Sequence, residues 1–262
     1  MKKLFILLCA GTFALASCKK DSATSPGTIN SVSTDYKAFI IEFSATWCHY
    51  CGDNGYPNWD PAFTNHPYKV TGISFHPADG LVATDYPESD TMMAFYGCTG
   101  FPTTGINAQG NGYPSATYWN NIDAAVSSHT QAKAGIGISK SIDGNNIVVN
   151  TKTVFFSDMT GTYNLAVYVT EDNLVYDQTI TNSPFSIPGA VHNHVFRTAA
   201  GHNPFGTTIV STSTTKGTQF DGSYTIALPS DVQNKNNLHV VAVLFKVDAV
   251  GHPTEVINSN SL

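Results

Sequence analysis

Two cysteines separated by two residues are the part of this sequence best suited to chemistry. They lie in Trp47-Cys48-His49-Tyr50-Cys51, directly after an apolar segment. Cysteines at this spacing can form a disulfide across a tight turn, and a helix that begins there stabilises a thiolate on the first cysteine. A protonated His49 adds positive charge beside that sulfur. A lowered thiol pKa makes the group both a nucleophile and a leaving group, as thiol–disulfide exchange requires. The spacing alone also fits half of a zinc site or a structural disulfide.

An acidic residue and a proline accompany the motif. Glu42 lies six residues before Cys48 within the apolar segment 37–44, where burying a carboxylate is costly. A buried acid of raised pKa near the second sulfur can accept its proton during exchange. About fifty residues later, the stretch YGCTGFPT contains Phe101 and Pro102. If the proline is cis, it presents the Phe101 backbone as a short edge for a substrate segment.

Several neighbouring residues have simpler interpretations. Cys98 is interpreted as a small buried residue rather than a third redox thiol. Tyr50 shares with His49 the position between the cysteines, where residue choice tunes the reduction potential. His76 and Trp59 are interpreted as packing residues without chemistry.

The elements that must position the motif change character along the chain. Segments 37–44 and 68–76 are predicted strands, and 90–96 and 115–128 are predicted helices, the second with a serine placed as a cap. From about residue 134, short β-rich runs alternate with turn signals, which predicts an antiparallel β-sandwich. The predicted strands are 147–156, 163–170, 192–197, 223–228 and 238–247.

Two histidines in the second half form a further candidate site. His192 and His194 are two residues apart on a predicted strand, which places both on one face, with Arg197 on the other. That geometry suits a metal ion, but no third ligand is evident. Hydrogen bonding between strands is the favoured interpretation.

Composition excludes one class of partner. The 262 residues include 13 basic and 19 acidic side chains, a net charge of −6, and Arg197 is the single arginine. Proteins normally bind nucleic acid through clustered lysines and arginines, so no nucleic-acid partner is expected.

The N-terminus has the proportions of a secretory signal peptide. Lys2 and Lys3 precede an apolar run that ends in Leu15-Ala16-Ser17-Cys18, which resembles a bacterial lipobox. Cleavage there leaves Cys18 as a lipid-modified N-terminus. The Ser/Thr-rich residues that follow read as a flexible tether. By resemblance to lipoprotein sorting rules, a lysine rather than an aspartate after the cysteine favours the outer membrane.

Strand, acid, WCxxC and YGxxGxPT together resemble the thioredoxin fold over roughly residues 36–130. The resemblance implies that Cys48 attacks, that Cys51 resolves, and that Pro102 is the cis-proline facing them. It also makes Glu42 the buried acid and Trp47 a platform over the sulfur. The sequence departs from the pattern after the motif. Four residues are expected to break the usual long helix, and 76–89 is interpreted as an insertion. The four residues are Gly52, Gly55, Pro57 and Pro61.

Nearly the whole mature chain resembles the outer-membrane-protein-28-like lipoproteins, through VYVTEDNLVYDQ and HNHVFR in the second half. That family implies a location in the outer membrane or at the cell surface. The expected fold is α+β or α/β, a thioredoxin-like domain followed by an antiparallel β-sandwich. The expected division of the chain is a signal peptide (1–17), a lipid-anchored tether (18–34), the thioredoxin-like domain (35–130) and the β-sandwich domain (131–262).

Three functions follow from the motif. The first is a cell-envelope lipoprotein that exchanges disulfides with protein thiols, using Cys48, Cys51 and Glu42, with Phe101 and Pro102 positioning the partner. It needs no organic cofactor or metal beyond the redox-active disulfide, and it contacts the membrane through Cys18. The second is a surface binding or adhesion lipoprotein whose disulfide is structural. The third is a metal-handling protein that uses the two cysteines and a histidine.

Overall fold

The structure is a computed structural model that describes residues 26–112, 116–129 and 131–262. The predicted signal peptide, Cys18 and the predicted cap Ser115 lie outside the described residues. Within them, the chain is mostly β-sheet, with three α-helices. No described helix is long and apolar enough to span a membrane.

The first part of the chain mixes strands and helices. Its strands are β1 (Ala38–Phe43), β2 (Val70–Phe75), β3 (Thr103–Ile106) and β4 (Gln109–Gly112). Its helices are α1 (Tyr56–Asn65), α2 (Pro87–Tyr96) and α3 (Ala116–Ser127), and a π-helical turn (Cys51–Gly55) precedes α1. The structure confirms the strands predicted at 37–44 and 68–76 and the helices predicted at 90–96 and 115–128, each within a few residues of its ends.

The second part consists of strands and two 3-10 turns (Ala200–His202 and Lys235–Asn237). The strands are β5 (Ala134–Asp143), β6 (Asn146–Phe155), β7 (Met159–Thr160), β8 (Thr162–Glu171), β9 (Leu174–Val175), β10 (Gln178–Thr179), β11 (Ser186–Ile187), β12 (Val191–His192), β13 (Val195–Ala199), β14 (Thr207–Val210), β15 (Ser213–Thr214), β16 (Gln219–Ala227), β17 (Leu238–Val247) and β18 (Pro253–Ser261).

A mixed nine-stranded sheet contains strands from both parts. Its order is β18-β17-β8-β13-β2-β1-β3-β4, and β14 also pairs with β8. β1 and β2 are parallel, and β2 meets β13 through a parallel pair between Ser74 and Val195. The sheet therefore crosses the predicted boundary at residue 130, and the division into two domains stays a prediction.

Strand β1 is buried on both faces, and its alternation determines where Glu42 points. Phe39, Ile41 and Phe43 pack into a core with α2 and with aromatic residues of the second part. Ile40 packs on the opposite face against α1 and α3. Glu42 is even-numbered like Ile40, so its carboxyl group lies on the face covered by α1.

A second sheet of three strands packs against the large sheet at the end that contains β8 and β17. Strands β16, β6 and β5 are antiparallel, and alternate residues of β6 are buried. Ile147, Val149 and Phe155 of β6 pack against Leu165 and Val167 of β8 and against apolar residues of β17. The strands predicted at 147–156 and 163–170 are confirmed as β6 and β8, within a residue of their ends.

The expectation that glycines and prolines break the helix after the cysteines is wrong. The π-helical turn and α1 follow one another without interruption from Cys51 to Asn65. Pro57 lies where the π-helical turn gives way to α1, and Pro61 is accommodated inside the helix. Gly52 and Gly55 are sites of close approach, described below.

The expectation that His192 and His194 share one face of a strand is also wrong. β12 ends at His192 and β13 begins at Val195, and His194 has a left-handed backbone with φ of 59°. The alternation of a strand is lost between them. His192 lies with its ring 5.9 Å from that of His76, whereas His194 stacks on Phe63 at 4.0 Å.

The described end of the predicted tether contacts the body of the protein. The backbone of Ser33 and the side chains of Ile29 and Val32 lie against Gly135 and Gly137 of β5, where a Cβ atom would collide with them. Thr34 accepts a hydrogen bond from the Ala132 amide at 3.0 Å. Residues 29–34 are therefore packed along β5 and do not extend freely from it.

Candidate functional site

The two cysteines of the motif are joined by a disulfide at the start of the helical segment. Cys48 and Cys51 have Cα atoms 5.2 Å apart. Cys51 is fully buried, whereas 7% of Cys48 is exposed, so only Cys48 reaches solvent. The Cys51 amide donates to Cys48 Sγ at 3.2 Å, and the Gly52 amide donates to the Cys48 carbonyl. Both amides direct positive dipole ends toward Cys48.

The backbone of Phe101 lies beside the sulfur of Cys48. Cys48 Sγ is 3.6 Å from the Phe101 carbonyl oxygen, and the Phe101–Pro102 peptide bond is cis. The ring of Trp47 lies 6.0 Å from that of Phe101 and is 56% exposed. Trp47 is therefore a surface aromatic residue next to the disulfide and does not belong to the core.

Glu42 lies beneath the turn that carries the cysteines. Its side chain is only 3% exposed, and Ser74 Oγ lies 3.4 Å from Glu42 Oε2. A Cβ atom on Gly55 would lie 2.4 Å from Glu42 Oε1 and 3.3 Å from Pro102 Cβ. Burial raises the pKa of Glu42 to about 8, against the lowering effect of the Ser74 hydrogen bond, and the charge of Asp60 raises it further.

Two other predicted site residues, and Cys98, lie at the periphery. His49 and Tyr50 are exposed, and their rings are 5.1 Å apart. Cys98 carries a free, half-buried thiol with Sγ 3.4 Å from the Gly100 carbonyl oxygen. Its side chain packs at the edge of the core formed with α2.

The second part of the chain holds the cysteine turn through Gln178 of β10. The Gln178 Nε2 atom lies 3.2 Å from the carbonyl oxygens of Ala45 and Thr46 and 3.1 Å from that of Cys48. Gln178 is buried, and the Thr179 amide also donates to Thr46 at 2.8 Å. These bonds add a side-chain donor from β10 to carbonyl groups of the turn, two of which also accept amide protons within the turn, Ala45 from Cys48 and Cys48 from Gly52.

The hairpin formed by β10 and β11 also touches the start of the helix. The Thr179 carbonyl oxygen would lie 2.0 Å from a Cβ atom on Gly52. Thr181 donates to Asp53 through its amide at 3.2 Å and through its hydroxyl group. Only glycine permits this approach, which explains why Gly52 lies directly after the motif.

A buried polar group lies on the other side of Glu42 and was not anticipated by sequence reasoning. Ser74, His76 and Asp79 are all buried, and His76 Nδ1 lies 2.7 Å from Asp79 Oδ2. The sequence offered no signal for Gln178 or Ser74, and His76 was interpreted as a packing residue. Within the described residues, no group of three or more His, Cys, Asp or Glu side chains is arranged to hold a metal ion.

The family model described as Outer membrane protein Omp28 matches residues 89–261, about two thirds of the chain. The chain belongs to the Omp28 outer membrane protein family. Membership indicates a location in the outer membrane or cell envelope. The residues matched to Omp28 include Phe101, Pro102 and Gln178 and begin after Glu42 and the cysteine pair.

The fold of this Omp28 family chain is similar to that of a solved structure, HBP35 of Porphyromonas gingivalis. The TM-score is 0.69 at 15% sequence identity, and the alignment covers 88% of this chain and 76% of that one. A comparison with curated proteins found no match. At this identity the similarity concerns the fold alone, so the chemistry of the Omp28 chain is argued below from its own residues.

Proposed function

We propose that this protein exchanges disulfides with protein thiols of the cell envelope through Cys48 and Cys51. The observation that carries the proposal is the asymmetry of the pair above a buried acid. Cys48 reaches solvent, Cys51 is fully enclosed, and Glu42 lies beneath their turn with a pKa of about 8. An incoming thiolate can therefore reach only Cys48, and Cys51 leaves as a thiolate inside the protein.

The chemistry in the opposite direction begins with a thiolate on Cys48. The Cys51 amide and the start of the helical segment stabilise negative charge on that sulfur. The thiolate attacks a partner disulfide and forms a mixed disulfide. Cys51 then loses its proton to Glu42 and attacks Cys48 Sγ, which releases the partner thiolate and closes the Cys48–Cys51 bond.

The partner segment is proposed to lie along Phe101. Its carbonyl oxygen is 3.6 Å from Cys48 Sγ, so a segment bound to it brings a partner sulfur next to Cys48. Pro102 fixes this backbone against the turn, since its Cβ atom lies 3.3 Å from the Cβ position of Gly55. The exposed ring of Trp47, 6.0 Å from that of Phe101, and the exposed ring of Tyr50 between the two cysteines are proposed to supply apolar surface for the partner.

The first part is proposed to be thioredoxin-like and the second a β-sandwich domain. The parallel pair β1–β2, the antiparallel strand β3 and the helical segment after the cysteines support the first assignment. The packing of β5, β6 and β16 against β8 and β17 supports the second.

The protein is further proposed to be an outer-membrane lipoprotein anchored through lipid on Cys18. Family membership and the lipobox-like sequence before Cys18 support this assignment. The exchange reaction uses the disulfide itself as the redox group, with no organic cofactor, metal or nucleic-acid partner.

The bonds made by Gln178 favour a second candidate, a surface-binding lipoprotein with a structural disulfide. Gln178 fixes the carbonyl oxygens of Ala45, Thr46 and Cys48. A turn held in this way is suited to a disulfide that stays closed. In that case the Cys48–Cys51 bond stabilises the turn and binding occurs elsewhere on the surface.

The reduction potential of the pair separates the two candidates. The full chain is equilibrated in a series of glutathione and dithiothreitol buffers, and its free thiols are trapped by alkylation. A potential of roughly −120 to −270 mV supports exchange, whereas one below about −300 mV with slow exchange supports the structural disulfide. In an exchange protein, Cys51→Ser traps a mixed disulfide with an envelope protein, whereas Cys48→Ser traps none. Cys98→Ser serves as the control and leaves the potential unchanged.

A further inference from the structure

Four buried side chains form a continuous hydrogen-bonded chain that begins at Glu42. Glu42 Oε2 lies 3.4 Å from Ser74 Oγ, and Ser74 Oγ lies 3.1 Å from His76 Nε2. His76 Nδ1 lies 2.7 Å from Asp79 Oδ2. Each of these side chains is less than a tenth exposed. The chain therefore connects the acid beneath the disulfide with an imidazole that is itself shielded from solvent.

Asp79, at one end of the hydrogen-bonded side chains, determines which ring nitrogen of His76 carries a proton. Burial acts to raise the pKa of Asp79, but hydrogen bonds from His76 and from the amides of Thr46 and Val82 outweigh it and lower the pKa. Asp79 is therefore a carboxylate, and His76 donates to it from Nδ1. The Nε2 atom of His76 is left to face Ser74, where it either accepts a proton or donates one.

Two arrangements of the protons satisfy every group. In the first, protonated Glu42 donates to Ser74 Oγ, and the Ser74 hydroxyl donates to His76 Nε2. In the second, doubly protonated His76 donates to Ser74 Oγ, and Ser74 donates to the Glu42 carboxylate. Moving each proton along its hydrogen bond converts one arrangement into the other. In the second, the imidazolium is paired with the Asp79 carboxylate.

This connection matters because Glu42 is mostly protonated at neutral pH, with a pKa of about 8. While it holds its own proton, Glu42 cannot accept the proton of Cys51. Glu42, Ser74 and His76 line a small cavity with room for about one water molecule, together with Tyr56 and Gln178 among others. Glu42 itself is only 3% exposed, so its contact with bulk solvent is small.

Three other titratable groups, Asp60, Tyr118 and His192, also face the hydrogen-bonded side chains. Asp60 of α1 and Tyr118 of α3 both interact electrostatically with Glu42. His192 faces the ring of His76, and burial, followed by the charge of His76, lowers the pKa of His192 to about 4. His192 is thus neutral and is not the group that takes the proton.

We propose that His76, oriented by Asp79, accepts the Glu42 proton through Ser74 and thereby frees Glu42 to deprotonate Cys51. The inference rests on the proposed exchange reaction and assigns His76 and Asp79 as positioning residues. The Glu42 proton moves to Ser74 Oγ while the Ser74 proton moves to His76 Nε2. Cys51 then gives its proton to the Glu42 carboxylate, its sulfur bonds to Cys48 Sγ, and the bond from Cys48 to the partner sulfur breaks. The partner leaves as a thiolate with the electron pair of that bond.

The test follows ring closure of a mixed disulfide formed by the protein itself. In the full chain, Cys9, Cys18 and Cys98 are replaced by alanine. The reduced protein reacts with 5,5′-dithiobis(2-nitrobenzoate), which places one thionitrobenzoate on Cys48. Release of the second thionitrobenzoate, followed by its absorbance, reports the attack by Cys51. The first-order rate of this release is measured over a pH range that spans the titration of Glu42.

The expected result is a pH-dependent loss in His76→Gln. At neutral pH, where Glu42 is protonated, we expect His76→Gln to close about tenfold more slowly, below the roughly 10²–10⁴-fold typical of direct proton transfer. Above about pH 9 Glu42 ionises without help, so the two rates converge. Ser74→Ala breaks the same connection with a smaller change in volume and is expected to behave in the same way.

Two controls distinguish proton transfer from packing. Thr71→Ala removes another buried hydroxyl group from β2, one bonded to Ser259, and is expected to close at the wild-type rate. Because His76 acts through Glu42, the double variant Glu42→Gln/His76→Gln is expected to be no slower than Glu42→Gln alone.

Equal slowing of His76→Gln and Ser74→Ala at every pH, or additive losses in the double variant, would overturn the inference. The test needs no partner protein, because both reacting cysteines belong to this chain. If the reduction potential excludes physiological exchange while ring closure shows the pH-dependent loss, the proposed function fails and the proton route stands.

Discussion

The side-chain amide of Gln178 donates to the main-chain carbonyl of Cys48, 130 residues earlier in the chain, at 3.1 Å. The same nitrogen lies 3.2 Å from the carbonyl oxygens of Ala45 and Thr46. The cysteine turn is thus held by a residue of the second part, and the properties of the site depend on both parts of the molecule.

Replacing Gln178 with alanine is expected to destabilise the protein by about 0.5–1.5 kcal/mol, because the buried hydrogen bonds from Gln178 Nε2 to the turn are lost. The measurement is the free energy of urea unfolding of the oxidised full chain. Gln219→Ala is the matched control, since Gln219 is exposed and bonds only weakly to Lys152, and it is expected to change stability by less than about 0.5 kcal/mol. Equal effects of the two substitutions would contradict a holding role for Gln178.

Gly52→Ala tests the close approach between the hairpin of β10 and β11 and the helix. Alanine gains about 1 kcal/mol of helix propensity over glycine, which favours the variant. Its Cβ atom would lie 2.0 Å from the Thr179 carbonyl oxygen and 2.7 Å from the Ile180 side chain, however. Because the first of these is a backbone atom, we expect a cost at or above the upper end of about 1–3 kcal/mol, and therefore net destabilisation.

The control for this substitution is Gly100→Ala. No atom lies within 4 Å of the Cβ position of Gly100, and its backbone is not left-handed. Its thermal midpoint is expected to stay close to that of the wild type, while that of Gly52→Ala falls. A Gly52→Ala variant as stable as the wild type would show that the hairpin does not press on the helix.

Glu42→Gln tests the buried acid through the pH dependence of stability. Glu42 ionises near its ordinary pKa in the unfolded chain but holds its proton up to about pH 8 in the folded chain. Between these values unfolding releases a proton, so the wild type loses stability as the pH rises from about 5 to about 8. Glutamine carries no proton to release, so the variant is expected to lose less stability over this range.

Urea unfolding at about pH 5 and about pH 8 measures this difference. Glu255→Gln is the matched control, because Glu255 is exposed in part and pairs with Lys133 at the surface. Its stability difference from the wild type is expected to be similar at both pH values. A Glu42→Gln variant that follows the wild-type slope would mean that Glu42 is already ionised in the folded protein near pH 5.

Local sequence patterns predicted the elements whose stability is local. The apolar run that became β1 and the β-rich runs that became β6 and β17 are confirmed, since burial of one or both strand faces leaves a recognisable pattern in the sequence. The same patterns placed Glu42 inside β1. Alternation along that strand then explains why its carboxyl group faces α1.

Contacts between distant segments could not be predicted from such local patterns. Gly52 and Gly55 were interpreted as helix breakers, although their lack of a side chain serves the approach of Thr179 and Glu42. Gln178 lies in a short strand with no distinguishing pattern, and its partners are known only once the chain is folded. The left-handed backbone of His194 likewise depends on its surroundings, so strand alternation failed there.

The pairing of Ser74 with Val195 joins the strands of both parts into one sheet. Recombination between genes can transfer a segment intact only when its contacts are internal. A transferred segment 35–130 would carry both cysteines and Glu42, but it would leave behind Gln178 and the strand that covers the edge of β2. The disulfide and its acid would therefore lose part of their support if they were separated from the second half of the chain, and changes in either half alter the same site.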